Sequence, residues 1–587
     1  MQREQVAITA RDGTRLAADL YLPATGAPAP VLLEALPYRK DNLTGESHTE
    51  EYLRLRAEGG FAVCRLDLRG TGSSEGRATD EYPLSELDDL SDVIAWLAAQ
   101  SWSNGRVGMF GYSYSGFNSL QLACERPPAL GAICAIYATD DRYTDDVHYM
   151  GGALRAIDLV DYCHYMVPMN ALPPVPALWG PGWRDEWLAR IADHEPWLMK
   201  WMEHQLDGPY WRHGSVRPDY ARIQCPTMIV AGWADGYRNN TFRTFENLTC
   251  AKELLIGPWS HMSPATSLPG PHIDLVPEMV TFFGKWLRDD DVAARPPIRV
   301  FVRRPTQPEP DLEAVAGEWR YEAEWPPTRL TPTVLYDGRR RRLLARPDTG
   351  TAAWNSCAGG LPWGQPLDQR GDDAWSLTTD WPQSTDLEVL GHVVVNATVT
   401  SNRPIAYLSV KLNDVCPDGT SALVTRGLLN LTHRVDPPQP LEPGQRYAVE
   451  VEMEATSWVF AAGHSLRLSV AGNDWPNTWV PPEPVTLTIE SLQMQLPVLP
   501  PGGAGVPDFV AVKPPAREPS DTTWAVTHDV LNRMTTARTG YGSSFETRHG
   551  GRVSDRYDGY ATMPISDQAH ASAGGVVRFE IEWPEAS

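Results

Sequence analysis

A chain of 587 residues is too long for one hydrophobic core, and its length suggests three or four domains. Lys and Arg total 51 against 74 Asp and Glu, and the resulting net charge of −23 argues against a nucleic-acid partner, because phosphate binding needs basic surface. No run approaches the roughly 20 apolar residues of a membrane span, and the opening MQREQVAITARDGT has no apolar h-region, so a cytoplasmic protein with no membrane partner is expected.

Eight apolar runs read as strands: VAIT (6–9), ADLYLP (18–23), PVLLEAL (30–36), FAVCRLD (61–67), RVGMFG (106–111), GAICAIY (131–137), PTMIVAGW (226–233) and KELLIGPW (252–259). Runs this continuous suit strands buried on both faces of a mostly parallel sheet. Helical patterns lie between them. The clearest is SELDDLSDVIAWLAAQ, with Leu87, Leu90, Ile94 and Leu97 on one face and Ser85 with Asp88 as a capping box. Residues 142–221 break the rhythm. They are rich in Trp, Tyr, Met and His, and read as a helical cap over the C-terminal edge of the sheet, where open α/β folds bind ligands. From 295 short alternating runs take over, beginning with IRVFVRR, and read as a β-sandwich. The run Arg339 to Arg342 reads as a solvated hairpin tip.

The expected architecture is α/β. Residues 1–141 and 222–294 form the two parts of the α/β core, 142–221 the cap, 295–500 a β-sandwich and 501–587 a β-rich extension. The eight cysteines, Cys64, Cys124, Cys134, Cys163, Cys225, Cys250, Cys357 and Cys416, show no CxxC pair and no Cys/His ligand spacing. They read as reduced core residues, and neither a metal nor a cofactor is expected.

The chemistry concentrates where Gly111-Tyr112-Ser113-Tyr114-Ser115-Gly116 follows the strand RVGMF and precedes the helix-like FNSLQLACE. This is the context of a nucleophile elbow, with Ser115 standing where glycine is usual. A serine hydroxyl needs a base, and on this fold the order is serine, acid, histidine. Asp235 ends the seventh run and His261 lies just past the eighth, so both belong at the same sheet edge as Ser113. Asp207 and His272 also follow Ser113, but neither directly follows a strand. The oxyanion needs donors. One is expected from the backbone N–H of Tyr114. The loop after the third run, Leu36-Pro37-Tyr38-Arg39-Lys40-Asp41, has no glycine donors. The phenol of Tyr38 could serve, and a packing role fits it equally on residue chemistry.

These segments resemble the family of cocaine esterases and X-prolyl dipeptidyl-peptidases, which includes glutaryl acylases and α-amino acid ester hydrolases. The resemblance rests on LPYRKD, RLDLRGTGSSEG, NGRVGMFGYSYSG, GGAL, AGWAD, GPWSH, VKLNDVCPDG and FAAGHSLRLSVAGND, in order, over about residues 1–500. It implies an α/β-hydrolase core with helical cap and C-terminal jelly-roll, the oxyanion role for Tyr38, and tolerance of variation at Ser115. It also implies that members acting on free α-amines hold the ammonium with carboxylates. Asp145 or Asp146, in the cluster with Asp140 and Asp141, could do this, but an acid-rich helix start favoured by the helix dipole is the preferred reading. Trp233 and Trp259 could wall an acyl pocket or pack the core. The expected partner is a small ester, amide or short peptide substrate, with homo-oligomerisation left open. The reading is a serine hydrolase working through an acyl-enzyme. The alternatives are a dipeptidyl-peptidase or amino acid ester hydrolase and, more remotely, a non-catalytic carbohydrate- or partner-binding protein.

Overall fold

The computed structural model describes residues 3–23, 26–42, 47–144, 146–353, 365–514 and 522–583. All eight apolar runs form strands of one sheet: β1 (Arg3–Thr9), β2 (Arg15–Tyr21), β3 (Ala29–Leu36), β4 (Ala62–Asp67), β5 (Ser103–Tyr112), β6 (Leu130–Ile136), β7 (Thr227–Gly232) and β8 (Lys252–Gly257). With β9 (Ile298–Arg303) and β10 (Gly317–Glu322) they build a ten-stranded sheet in the order β1-β2-β4-β3-β5-β6-β7-β8-β9-β10. Pairing is parallel across this order from β4 to β9. It is antiparallel at β1–β2, β2–β4 and β9–β10.

The run IRVFVRR was expected to open the β-sandwich, yet it is β9 of this sheet. Its alternation is misleading, because Arg299 is fully buried and ion-paired to Glu253 at 2.8 Å and to Glu278. With that charge compensated, the strand is covered on both faces, as a parallel position demands.

Helices cover the sheet: α1 (Thr49–Ala57), α2 (Leu84–Ala98), α3 (Tyr114–Glu125), α4 (Ile157–Ala171), α5 (Trp183–Asp193), α6 (Trp197–Glu203), α7 (Arg238–Asn247) and α8 (Val276–Leu287). α2 buries Leu90, Val93, Ile94 and Leu97 as its periodicity requires. The capping box at Ser85 does not form. Pro83, at ψ 156, sets an extended entry, the helix starts one residue before Ser85, and no side chain caps it. Between β6 and β7 the cap carries α4, α5 and α6. It is tied over the C-terminal strand ends: Arg190 of α5 donates to the carbonyls of Gly72 and Ser74 in the loop after β4, at 2.9 Å each.

Residues 331–498 form two packed antiparallel sheets, one of seven strands and one of four. The arginine run is not a hairpin tip: residues 338–340 join two short strands, Thr331–Asp337 and Arg341–Leu344, that pair one after the other and in the same sense with the strand Thr486–Val498, because Arg339 and Arg341 pair with Asp337 and Arg340 with Glu490 along that line. The chain ends in a separate antiparallel sheet, β11 (Thr523–Asp529), β12 (Met534–Glu546), β13 (Arg552–Pro564) and β14 (Ser572–Glu582). The architecture is an α/β-hydrolase core joined to a β-sandwich. Seven cysteines are free thiols, and Cys357 lies outside the described residues. Among the described residues no helix is long and apolar enough to cross a membrane, and no His, Cys, Asp or Glu group could hold a metal ion.

Candidate active site

Ser113 sits between β5 and α3 with φ 57° and ψ −120°, a conformation that non-glycine residues rarely adopt. Its N–H donates to the carbonyl of Ile136 at 2.9 Å, which ties the turn to the end of β6. The turn is crowded. A Cβ on Gly111, whose φ is +155°, would lie 1.8 Å from Ser115 Oγ; one on Gly116 would lie 2.9 Å from the carbonyls of Gly111 and Ile136. Ser115 is tolerated because its hydroxyl points into the protein, donating to Tyr112 O at 3.1 Å and facing Glu34 Oε1 at 3.3 Å. Gly111→Ala is expected to cost about 2–3 kcal/mol by overpacking and backbone strain, seen as a lowered thermal midpoint. An unchanged midpoint would mean that the elbow yields.

Glu34 is fully buried beneath this turn. It accepts from Tyr52 Oη and faces His48 Nδ1 at 3.3 Å and Arg65 Nε at 4.0 Å. Burial pushes its carboxyl up, but His48 and Arg65 outweigh this and hold it ionised.

Asp235 and His261 follow β7 and β8. The N–H of Trp233 donates to Gly257 O at 2.9 Å and that of Ala234 to Trp259 O at 3.0 Å, so the two loops close on each other. His261 Nδ1 and Asp235 Oδ1 are 2.9 Å apart. The carboxylate is fully buried, whereas the imidazole is 19% exposed. Buried ion–dipole pairing of this kind holds the imidazole in one tautomer with Nε2 free to take a proton. Tyr137 and Tyr237 flank the imidazole at ring-centroid distances of 5.5 and 5.4 Å. Arg238 donates to the Asp235 carbonyl at 2.6 Å and pairs with Glu454 of the β-sandwich, so the acid's loop is also held from the second domain. Asp207 and His272 lie elsewhere: Asp207 faces Arg212 and His272 bonds the Ser267 carbonyl.

Tyr114 opens α3, so its N–H is among those without an intrahelical acceptor. Its side chain is turned to Glu86, to which its hydroxyl donates at 2.9 Å. The ring of Tyr38 stands 6.2 Å from that of Tyr114, and its hydroxyl is 3.4 Å from the Tyr162 hydroxyl on α4. Burial raises the Tyr38 phenol well above its usual range, and Glu81, Asp146 and Glu86 add to this against the opposing Tyr162 contact. The group therefore keeps its proton and remains a donor.

The other candidates divide. Trp233 and Trp259 are core residues. Their indole N–H groups donate to the carbonyls of Phe301 and Pro271, and Trp233 stacks on Phe242. Asp140 is spent on Tyr220 and Arg243, and Asp141 on the backbone of Tyr143 and Thr144. Asp145 lies outside the described residues. Asp146 is buried close to the catalytic edge, accepting from Val147 N at 2.7 Å and from Tyr237 Oη at 3.3 Å. Burial pushes its carboxyl up to about 7.

Comparison with known proteins gives a consistent picture. The family model for X-Pro dipeptidyl-peptidase (S15 family) matches residues 12–263, and that for the X-Pro dipeptidyl-peptidase C-terminal non-catalytic domain matches 290–504. The cocaine esterase of Rhodococcus sp. (strain MB1 Bresler) is 28% identical over 542 residues, covering 80% of this chain and 90% of that protein. A putative serine esterase of Mycobacterium bovis is 26% identical over 577 residues, with the same coverages. A crystal structure of an aminopeptidase from a marine sediment Thaumarchaeota archaeon has the same fold, with a TM-score of 0.69 at 20% identity over 85% of this chain and 96% of that one.

Proposed function

As a member of the cocaine esterase and X-prolyl dipeptidyl-peptidase family of serine hydrolases, to which this chain belongs, we propose that it hydrolyses small carboxylic esters with Ser113 as nucleophile, His261 as base and Asp235 as the orienting acid. Ser113 Oγ attacks the carbonyl while His261 Nε2 takes its proton. Asp235 steadies the imidazolium through the 2.9 Å contact. The oxyanion is received by the N–H of Tyr114 and the hydroxyl of Tyr38. His261 then protonates the leaving group, and water reverses the sequence on the acyl-enzyme. The observation that carries this reading is the strained Ser113 backbone at a strand-to-helix turn, on the same sheet edge as an Asp–His pair whose carboxylate is fully buried. The test is a fluorophosphonate probe. Labelling of the wild type that is lost in Ser113→Ala is expected. Labelling that persists puts the nucleophile elsewhere.

A second reading, an enzyme selecting free α-amines, is favoured by one observation. Asp146 Oδ2 and Glu81 Oε2 are buried with no hydrogen-bond donor among the described residues. Their neighbour His148, 3.9 and 3.5 Å away, is kept neutral, because burial pushes it down to about 3. An ammonium would meet two buried acids there, although Arg142 already stands 3.5 Å from Glu81 Oε2. Against this, Asp146 already serves Val147 and Tyr237. We therefore expect Asp146→Asn to lower activity on amino acid esters and their N-acetyl derivatives by similar factors. A selective loss on the free amine of roughly 30-fold, about 2 kcal/mol, would establish the second reading. That selectivity would also fade as pH falls through about 7, where Asp146 takes up its proton.

A further inference from the structure

The C-terminal sheet β11–β14 lies beyond residue 504, where the second family match ends. Two of its edges reach the surroundings of Tyr38. The turn between β12 and β13 inserts Arg548 and His549 against the loop after β3. Arg548 Nη2 donates to the Lys40 carbonyl and contacts Asp19 Oδ2 at 2.9 Å and Asp41 Oδ1 at 3.1 Å; His549 Nε2 is 3.1 Å from the same Asp41 oxygen. Asp19, Lys40 and Asp41 are almost fully buried, and Lys40 Nζ bridges the two carboxylates at 3.2 and 2.7 Å. Burial would raise the Asp41 carboxyl, but His549, Lys40 and Arg548 outweigh it and keep the charge. Lys40 is two residues from Tyr38, so one guanidinium nitrogen of Arg548 ties the backbone of the loop that carries the phenol to the C-terminal sheet.

The second edge presses on α4. Tyr541 Oη donates to Asp161 at 3.1 Å, Phe579 packs edge-on against Tyr165 at 5.5 Å, and a Cβ on Gly575 would come within 3.0 Å of His164. The same helix presents Tyr162 to the Tyr38 hydroxyl, and Tyr165 to its ring at 6.4 Å. Both supports of Tyr38, its own loop and the cap helix behind it, are thus held from one sheet.

We propose that the C-terminal sheet is a positioning element of the active site, with Arg548 as the residue that fixes the Tyr38 loop for oxyanion binding. The proposal rests on the reading of Tyr38 as a donor. Placement matters because a donor displaced by about 1 Å forfeits most of its benefit. Lys40 and Arg3 still balance Asp19 and Asp41 when Arg548 is removed, so the buried cluster is not left with bare acid.

The experiment is a double-mutant cycle in the full chain. Arg548→Ala is expected to lower kcat about ten- to hundredfold with KM within about twofold. In the Tyr38→Phe background the same substitution should cost less than about twofold, because there is no phenol left to aim. Arg548→Lys keeps the charge and one donor nitrogen for the same oxygens, and its kcat should lie between those of the wild type and Arg548→Ala at an unchanged thermal midpoint. A wild-type kcat in Arg548→Ala, or an Arg548→Ala loss of equal size in both backgrounds, overturns the proposal. A wild-type kcat in Tyr38→Phe overturns the donor reading itself and is seen independently of Arg548.

Discussion

Ser113→Ala should lower kcat on an activated ester roughly 10⁴-fold or more and abolish the pre-steady-state burst of leaving group. The loss is chemical rather than structural. Ser113 is partly exposed, its turn is held by a backbone bond to Ile136 that alanine retains, and its positive φ strains alanine no more than serine. What remains is the His261–Asp235 pair and the proposed oxyanion donors, through which direct attack by water would still be assisted. Residual activity above about one part in a hundred, in protein free of wild-type carry-over, would mean that another group carries the acyl transfer.

The second large effect is expected at Tyr38. Tyr38→Phe removes a single hydroxyl, and we expect kcat to fall about 10²–10³-fold with little change in KM. The separation follows from when the bond is made. A phenol aimed at the oxyanion strengthens as the carbonyl carbon becomes tetrahedral, so its removal raises the transition state and leaves the bound ester nearly untouched. A packing role makes the opposite prediction. The ring would still stand against Tyr114 and Tyr165, and kcat would be unchanged. Burial and the nearby acids hold the Tyr38 proton, so the effect should persist across the working pH range rather than appear only in acid.

The features that were legible in the sequence are those that depend on neighbours along the chain. Continuous apolar runs marked eight strands, seven of them because a strand largely covered on both faces has little polar side to show, whereas the edge strand β1 buries only Ile8. The elbow could be read because its sterics fall within six residues, and Asp235 and His261 because each stands just past a strand run. Illegible features depended on partners far away. Arg299 looked like a solvent residue until Glu253 and Glu278 were brought to it, and so β9 was assigned to the wrong sheet. Glu34 sits inside an apolar strand run, and nothing local announces that it lies under the nucleophile. The tryptophans beside Asp235 and His261 could be read either as pocket walls or as core, because only distant partners decide it; both are buried, with their indoles bonded to main-chain carbonyls. The aromatic neighbours of the imidazole, Tyr137 and Tyr237, come from ordinary-looking loop positions, and no spacing singles them out.

The contact between Arg548 and the Lys40 carbonyl joins residues 508 apart in sequence. At a ribosomal rate of about 5–20 residues per second, the loop emerges roughly 25–100 s before the arginine that grips it. Through that interval Ser113, Asp235 and His261 are all synthesised while Arg548, a cation of the Asp19–Lys40–Asp41 cluster, is still unmade. Assembly of this protein therefore has a built-in order, in which the core can be buried early and the loop that carries Tyr38 is secured only when the final strands arrive.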